Sequence, residues 1–162
     1  CMTYREGTQG NLRKETKMKK FGFVALSSVL ATSAFAADLN NTQWRTVDDE
    51  TGKAKALVEF SKSSNGTYTA TIKKLLDPKA KTAVCTECSG SQKNKPIEGL
   101  DIVQNLKLDK GNKYTGGTIL DPKSGKTYKM NAEMASNGKT LKVRGFIGVA
   151  ALGRNQTWHR VK

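Results

Sequence analysis

The chain has 162 residues, 28 Lys and Arg against 14 Asp and Glu, and a formal net charge of +14. Such an excess favours anionic partners, yet the basic residues are scattered as single lysines with no arginine-rich block and no interleaved aromatics. That pattern argues against a nucleic-acid-binding protein and suits a lysine-dotted exterior that guards strand edges.

From Met18 the chain reads MKKFGFVALSSVLATSAFA, with two lysines, an apolar run over 21–30 and small residues ending in Ala34-Phe35-Ala36. A charged start, a short apolar core and an A-x-A site are the parts of a secretory signal peptide. The apolar run is too short to cross a bilayer of about 30 Å as a helix. Residues 18–36 are therefore expected to be a leader cleaved after Ala36, and residues 1–17 an upstream extension outside the mature protein. Cys1 does not follow the apolar run, which is where a lipoprotein cysteine would stand. The remaining 37–162 form one domain long enough to bury a core. They keep 22 basic and 12 acidic residues, a net charge of +10. The expected location is the periplasm or the exterior, an oxidising setting in which the two remaining cysteines, Cys85 and Cys88, pair by default.

Strand signals dominate this domain. Segments 44–47, 54–61, 67–75, 100–108, 113–120, 126–134, 140–147 and 154–161 carry period-two patterning bounded by Gly, Asn, Ser and Asp turns. In the second, Ala54, Ala56, Val58 and Phe60 share a face. In the third, Tyr68, Ala70 and Ile72 face three threonines. The fourth sets Leu100, Ile102, Leu106 and Leu108 on one face, with Gln104 as the one polar intruder. The fifth is loosened at Gly116-Gly117, a sign of a bulge or a close backbone approach. The sixth groups Tyr128, Met130, Ala132 and Met134. Asn137-Gly138 is a strong hairpin signal. In the seventh, Leu141, Val143 and Ile147 oppose Lys142 and Arg144, and 148–153 reads as a bend or one helical turn. One longer connection, 77–99, holds both cysteines.

About eight short strands joined by short turns predict an all-β fold, an antiparallel up-and-down barrel of lipocalin or calycin type; a two-sheet sandwich is the alternative.

Few residues carry chemistry. Cys85-Thr86-Glu87-Cys88 has redox-motif spacing, but Ser89-Gly90-Ser91 follows it and no helix pattern begins, as a lowered thiol pKa would need. A zinc site needs two further ligands, and His159 is the only imidazole. A structural disulfide pinning the 77–99 connection is the preferred reading, with redox and metal sites as alternatives. Ser124-Gly125-Lys126-Thr127 imitates the end of a phosphate-binding loop, yet the glycine due five residues earlier is Leu120. His159 lies between Trp158 and Arg160 without a sequence-visible carboxylate or nucleophile. The carboxylates are scattered singly apart from Asp48-Asp49-Glu50, so no catalytic constellation, cofactor or metal is expected. Gln104, Tyr128, Met130 and Met134 lie on apolar faces and are the candidate pocket lining. Small residues on inward faces (Ala56, Ala70, Ala132, Gly145) would leave room for a ligand, while a filled core with methionine as gap filler is the competing reading.

The ordered motifs Gly116-Gly117-Thr118-Ile119-Leu120-Asp121-Pro122, Ser124-Gly125-Lys126-Thr127-Tyr128, LKVRGFIG over 141–148, Gly153-Arg154 and Gln156-Thr157-Trp158 resemble one bacterial family. So do the cysteine pair followed by Lys95-Pro96-Ile97-Glu98-Gly99-Leu100, and the opening Trp44 with Asp48-Asp49 and Thr51-Gly52-Lys53. The family is the domain of unknown function numbered 2147, made of small exported proteins. The resemblance implies export and leaves activity unassigned. The early Trp44 and late Arg160 also look like lipocalin-related barrels, in which an arginine covers a tryptophan at the closed end. Trp44, Trp158 and Arg160 are thus the expected barrel closure.

Three functions follow as expectations. The first is a non-catalytic carrier barrel for a small apolar or anionic ligand, with the 77–99 connection as a lid over the mouth. The second is an envelope protein whose basic surface meets anionic lipid or glycan. The third is a thiol redox protein acting through Cys85 and Cys88.

Overall fold

The computed structural model describes residues 38–162; the expected leader and upstream extension lie outside the described residues. Eight strands follow in order: β1 (Gln43–Val47), β2 (Ala54–Lys62), β3 (Thr67–Leu75), β4 (Asp101–Lys110), β5 (Lys113–Asp121), β6 (Lys126–Met134), β7 (Thr140–Phe146) and β8 (Arg154–Arg160). Each pairs antiparallel with its sequence neighbour, and β1 also pairs with β8, so the sheet is a closed barrel. The closing seam sets Trp44 opposite Arg160 and Arg45 opposite His159. Closure leaves no strand edge unpaired, which settles barrel over sandwich.

Alternation builds the interior as period two requires. Trp44 on β1, Val58 and Phe60 on β2, Tyr68 and Ala70 on β3, Tyr114 on β5, Met130 and Ala132 on β6, Leu141 and Val143 on β7 and Trp158 on β8 are all buried. Lysines and other polar residues occupy the positions between them. Among the described residues no helix is long and apolar enough to cross a membrane.

On β4 the pattern breaks. Asn105 takes a left-handed backbone, φ 59°, and the β3–β4 register slips between Tyr68 opposite Leu106 and Ala70 opposite Val103. The extra residue turns the strand over. Val103 and Leu106 are buried, while Gln104 and Leu108 are exposed. The expected single face is corrected at the bulge: Ile102 and Gln104 turn outward, while Leu106 and Leu108 keep the inward face, opposite Tyr68 and Tyr114. On β5, Gly116 has φ 72° at a bulge opposite β6. Its neighbour Gly117 lies under the Leu106 side chain, where an added Cβ would come within 2.9 Å of Leu106. The glycine pair therefore serves both as bulge and as close approach.

The turns after β1, β3, β5 and β7 gather at one end of the barrel, and those after β2, β4 and β6 at the other, as up-and-down connectivity requires. The second end is plugged. Leu39, before β1, is fully buried there, and the Asp38 carboxylate accepts a hydrogen bond from the Tyr68 hydroxyl at 2.7 Å. Tyr68 meets Tyr114 edge-on at 5.8 Å, and Phe60 packs on Trp158 at 6.2 Å. Each such side chain contributes roughly 1.5–3 kcal/mol on full burial.

Candidate functional site at the barrel mouth

The candidate site is the end opposite the plug. Along β5 to β8, the inward-facing positions nearest the mouth are Ile119, Tyr128, Gly145 and Gln156, and all four remain half-exposed. Ile119 stands opposite Tyr128 across β5–β6, and Gly145 stands opposite Met130 across β6–β7. A Cβ on Gly145 would touch Ile119 at 3.6 Å and Tyr128 at 3.7 Å. The glycine thus leaves a notch between two apolar walls. Its floor is Met130, fully buried.

Gln156 supplies the polar side of this cup. Its Oε1 accepts from the Trp158 indole N–H at 2.6 Å, and its Nε2 donates to the Asp49 carboxylate at 2.9 Å. The chain from Trp158 through Gln156 to Asp49 fixes the glutamine and ties β8 to the turn between β1 and β2. Alternation puts Gln156 on the face of Trp158, but the sequence offers it no partner, because Asp49 lies in a turn more than a hundred residues earlier. Ile119 was hidden by the Gly116 bulge, which shifts which of Ile119 and Leu120 faces inward.

The four expected pocket residues do not converge. Tyr128 and Met130 are neighbours on the inward face of β6 at the mouth. Met134 lies on the same face but at the plugged end, about 14 Å along the strand at the usual rise. Gln104 points out of the barrel and lines a surface concavity of about 320 Å³ between β4 and the 77–99 connection.

That connection is held by several anchors. Cys85 and Cys88 form a disulfide with Cα atoms 5.3 Å apart, and both are buried. Val84 bridges Pro96, the Cys85 amide donates to the Lys95 carbonyl at 2.8 Å, and the Leu75 amide donates to Glu98 Oε1 at 2.9 Å. Cys85 Sγ lies 3.4 Å from the Pro122 carbonyl, and the Glu87 carbonyl presses on Gly125 in the turn between β5 and β6. With Gln104 and Asp101 of β4 sharing the concavity beside Gln92 and Lys95, the connection straps the rim and outer wall of β4–β6. The expected lid is corrected to a strap.

At the seam, Trp44 is fully buried, its indole N–H donates to Thr42 Oγ1 at 2.8 Å, and the Arg160 guanidinium sits 5.7 Å from its ring centroid. His159 is on the outer wall, between Arg45 of β1 and Thr140 of β7. These three residues, with Lys139 and Arg160, line a shallow depression of about 710 Å³.

The closed eight-stranded barrel with one plugged end defines the class: a lipocalin-like fold. A solved structure matches it, described as "Protein HP1028 from the human pathogen Helicobacter pylori belongs to the lipocalin family", with a TM-score of 0.67 and 23% identity over 77% of this chain and 84% of that one. The family described as "Uncharacterized protein conserved in bacteria (DUF2147)" matches residues 42–160. The chain belongs to that family. No curated protein matches it.

Proposed function

We propose that this protein is a non-catalytic binding barrel, exported and periplasmic after cleavage near Ala36, that takes the end of a small, largely apolar molecule into its mouth. The observation that carries this reading is the asymmetry of the interior. Bulky aromatics fill the plugged end, while along β5 to β8 the inward positions at the mouth are a glycine, two half-exposed side chains and one glutamine already held by its neighbours. An apolar notch with a few fixed polar groups is the usual build of a small-ligand site. Arg154, exposed at the rim opposite Gly145, suits an anionic end group on the ligand.

Native mass spectrometry of freshly purified protein, with titration by 8-anilinonaphthalene-1-sulfonate, tests the reading. A retained small molecule or saturable dye binding is expected, and Gly145→Leu, which fills the notch, abolishes either. Absence of both in the parent protein would sink it.

A second reading, an envelope protein that meets an anionic glycan or lipid headgroup, is favoured by the seam depression. Its side chains include Arg45, Lys139, His159 and Arg160 and no Asp or Glu side chain. Loss of binding to lipopolysaccharide in Arg45→Glu/Lys139→Glu, at low salt, is the expected sign. The thiol redox reading is not favoured, because both cysteines are buried and disulfide-bonded.

A further inference from the structure

The connection between β7 and β8 contains the three most exposed large apolar side chains of the described chain: Leu152 at 81%, Ile147 at 71% and Val149 at 60%. Isolated exposed apolar residues are ordinary, but three within six positions on one projecting loop form a patch that water disfavours. The loop is also built to hold its shape. Arg144 directs its guanidinium along the loop, donating from Nε to the Ala150 carbonyl, from Nη2 to the Ala151 carbonyl at 2.9 Å, and from Nη1 to Asn155 Oδ1 at 2.7 Å. Gly153 is wedged at the loop base, where a Cβ would lie 2.6 Å from the Gly145 carbonyl and 2.9 Å from Phe146 Cβ. A side chain that spends three hydrogen bonds ordering an apolar tip preorganises it for contact with something else.

We infer that this loop docks the barrel on an anionic membrane surface, inserting Ile147, Val149 and Leu152 at the interface with the mouth toward the lipid. Charge chooses the occupant. The turn between β5 and β6 lies beside the loop, since β6 pairs with β7, and it carries exposed Lys123 and Lys126; exposed Lys129 stands opposite Phe146. Exposed Arg154 follows the loop directly. Apolar tips flanked by cations are the pattern of interfacial binding to acidic lipid. On the other flank the turn between β1 and β2 bears Asp48, Asp49 and Glu50. The barrel is therefore tilted, with the β5–β6 side against the headgroups and the acidic turn lifted away. The inference goes beyond the ligand reading: it supplies a source for an apolar ligand but stands without one.

The test is flotation of the protein with mixed phosphatidylcholine–phosphatidylglycerol vesicles and with pure phosphatidylcholine vesicles at low salt. Binding to the mixed vesicles is expected, with a loss of roughly tenfold or more in Ile147→Ser/Leu152→Ser and a weaker loss in Lys123→Glu/Lys126→Glu. These residues are exposed, and near-ultraviolet circular dichroism from Trp44 and Trp158 checks that the fold persists. Arg45→Glu/Lys139→Glu at the seam keeps vesicle binding, and so does Gly145→Leu, which separates this inference from both readings above. Unbound parent protein, binding unchanged in Ile147→Ser/Leu152→Ser, or a parent dimer that this variant converts to monomer would each overturn it; the last would assign the loop to a second copy of the chain.

Discussion

The carbonyl of Glu87 occupies the place a side chain on Gly125 would need. Gly125 closes the turn between β5 and β6 with φ 70°, and Glu87 lies inside the disulfide of the 77–99 strap. The two constraints act together: left-handed backbone favours glycine, and the strap sits flush only if no Cβ is present. Gly125→Ala is expected to cost about 1–2 kcal/mol from backbone conformation alone and also to lift the strap. Faster hydrogen exchange confined to 77–99, alongside a lowered melting temperature, would mark the second effect.

Removing the disulfide should act on the same region from within. On a chain-entropy estimate a bridge closing so short a loop contributes about 2 kcal/mol. Cys85→Ser/Cys88→Ser also buries two hydroxyls where two sulfurs were packed. Urea unfolding should show a loss of at least that order, and treatment of the parent protein with reductant should reproduce most of it. Unchanged stability in both experiments would mean the strap is held by Pro122, Gly125 and Glu98 alone.

The two tyrosines at the plugged end should respond in opposite ways to loss of their hydroxyls. Tyr68 donates to Asp38, whereas the Tyr114 hydroxyl is buried with no partner among the described residues. Tyr68→Phe removes a bond to a charged acceptor and should destabilise by about 1.5–3 kcal/mol. Tyr114→Phe removes a desolvated group that gains nothing in return, and should leave stability unchanged or raised. Chemical denaturation of both variants in parallel measures the contrast.

Alkaline pH probes the same pair. Burial, then the hydrogen bond to Asp38, pushes the Tyr68 phenol up from 10.0 to about 12, and burial pushes Tyr114 up as well. An acid whose folded pKa lies above its unfolded one keeps its proton longer in the native state. Its contribution is complete below the unfolded value and is lost as pH rises from 10 toward 12. Absorbance at the phenolate band should show Tyr68 and Tyr114 ionising above the ordinary tyrosine value of 10.0, with unfolding free energy falling over that window.

Much of the barrel was legible because long stretches of its strands follow period two. Phe60, Tyr68, Met130 and Trp158 face inward where alternation puts them, and Gly116-Gly117 marks an actual bulge and an actual close approach. The reading failed where one residue left the extended region. Asn105 reverses the faces of β4 and turns Gln104 outside, and the only local sign was the adjacent apolar pair Ile102-Val103, which strict alternation cannot bury together. Ile147 was placed on the inward face of the seventh strand, but that strand ends at Phe146 and Ile147 opens the exposed loop. The mouth was harder still: Gly145 was legible as a small inward residue, but Gln156 acquires meaning only from Asp49, brought in by the turn between β1 and β2.

The pairing of Trp44 with Arg160 also has a temporal side. The first strand has no second neighbour until the last strand has been synthesised, so a ribosome-bound chain has hairpins to form but no barrel to close. The seam between β1 and β8 is thus the contact of longest sequence separation in the sheet, and its formation is the step that turns a row of hairpins into a barrel.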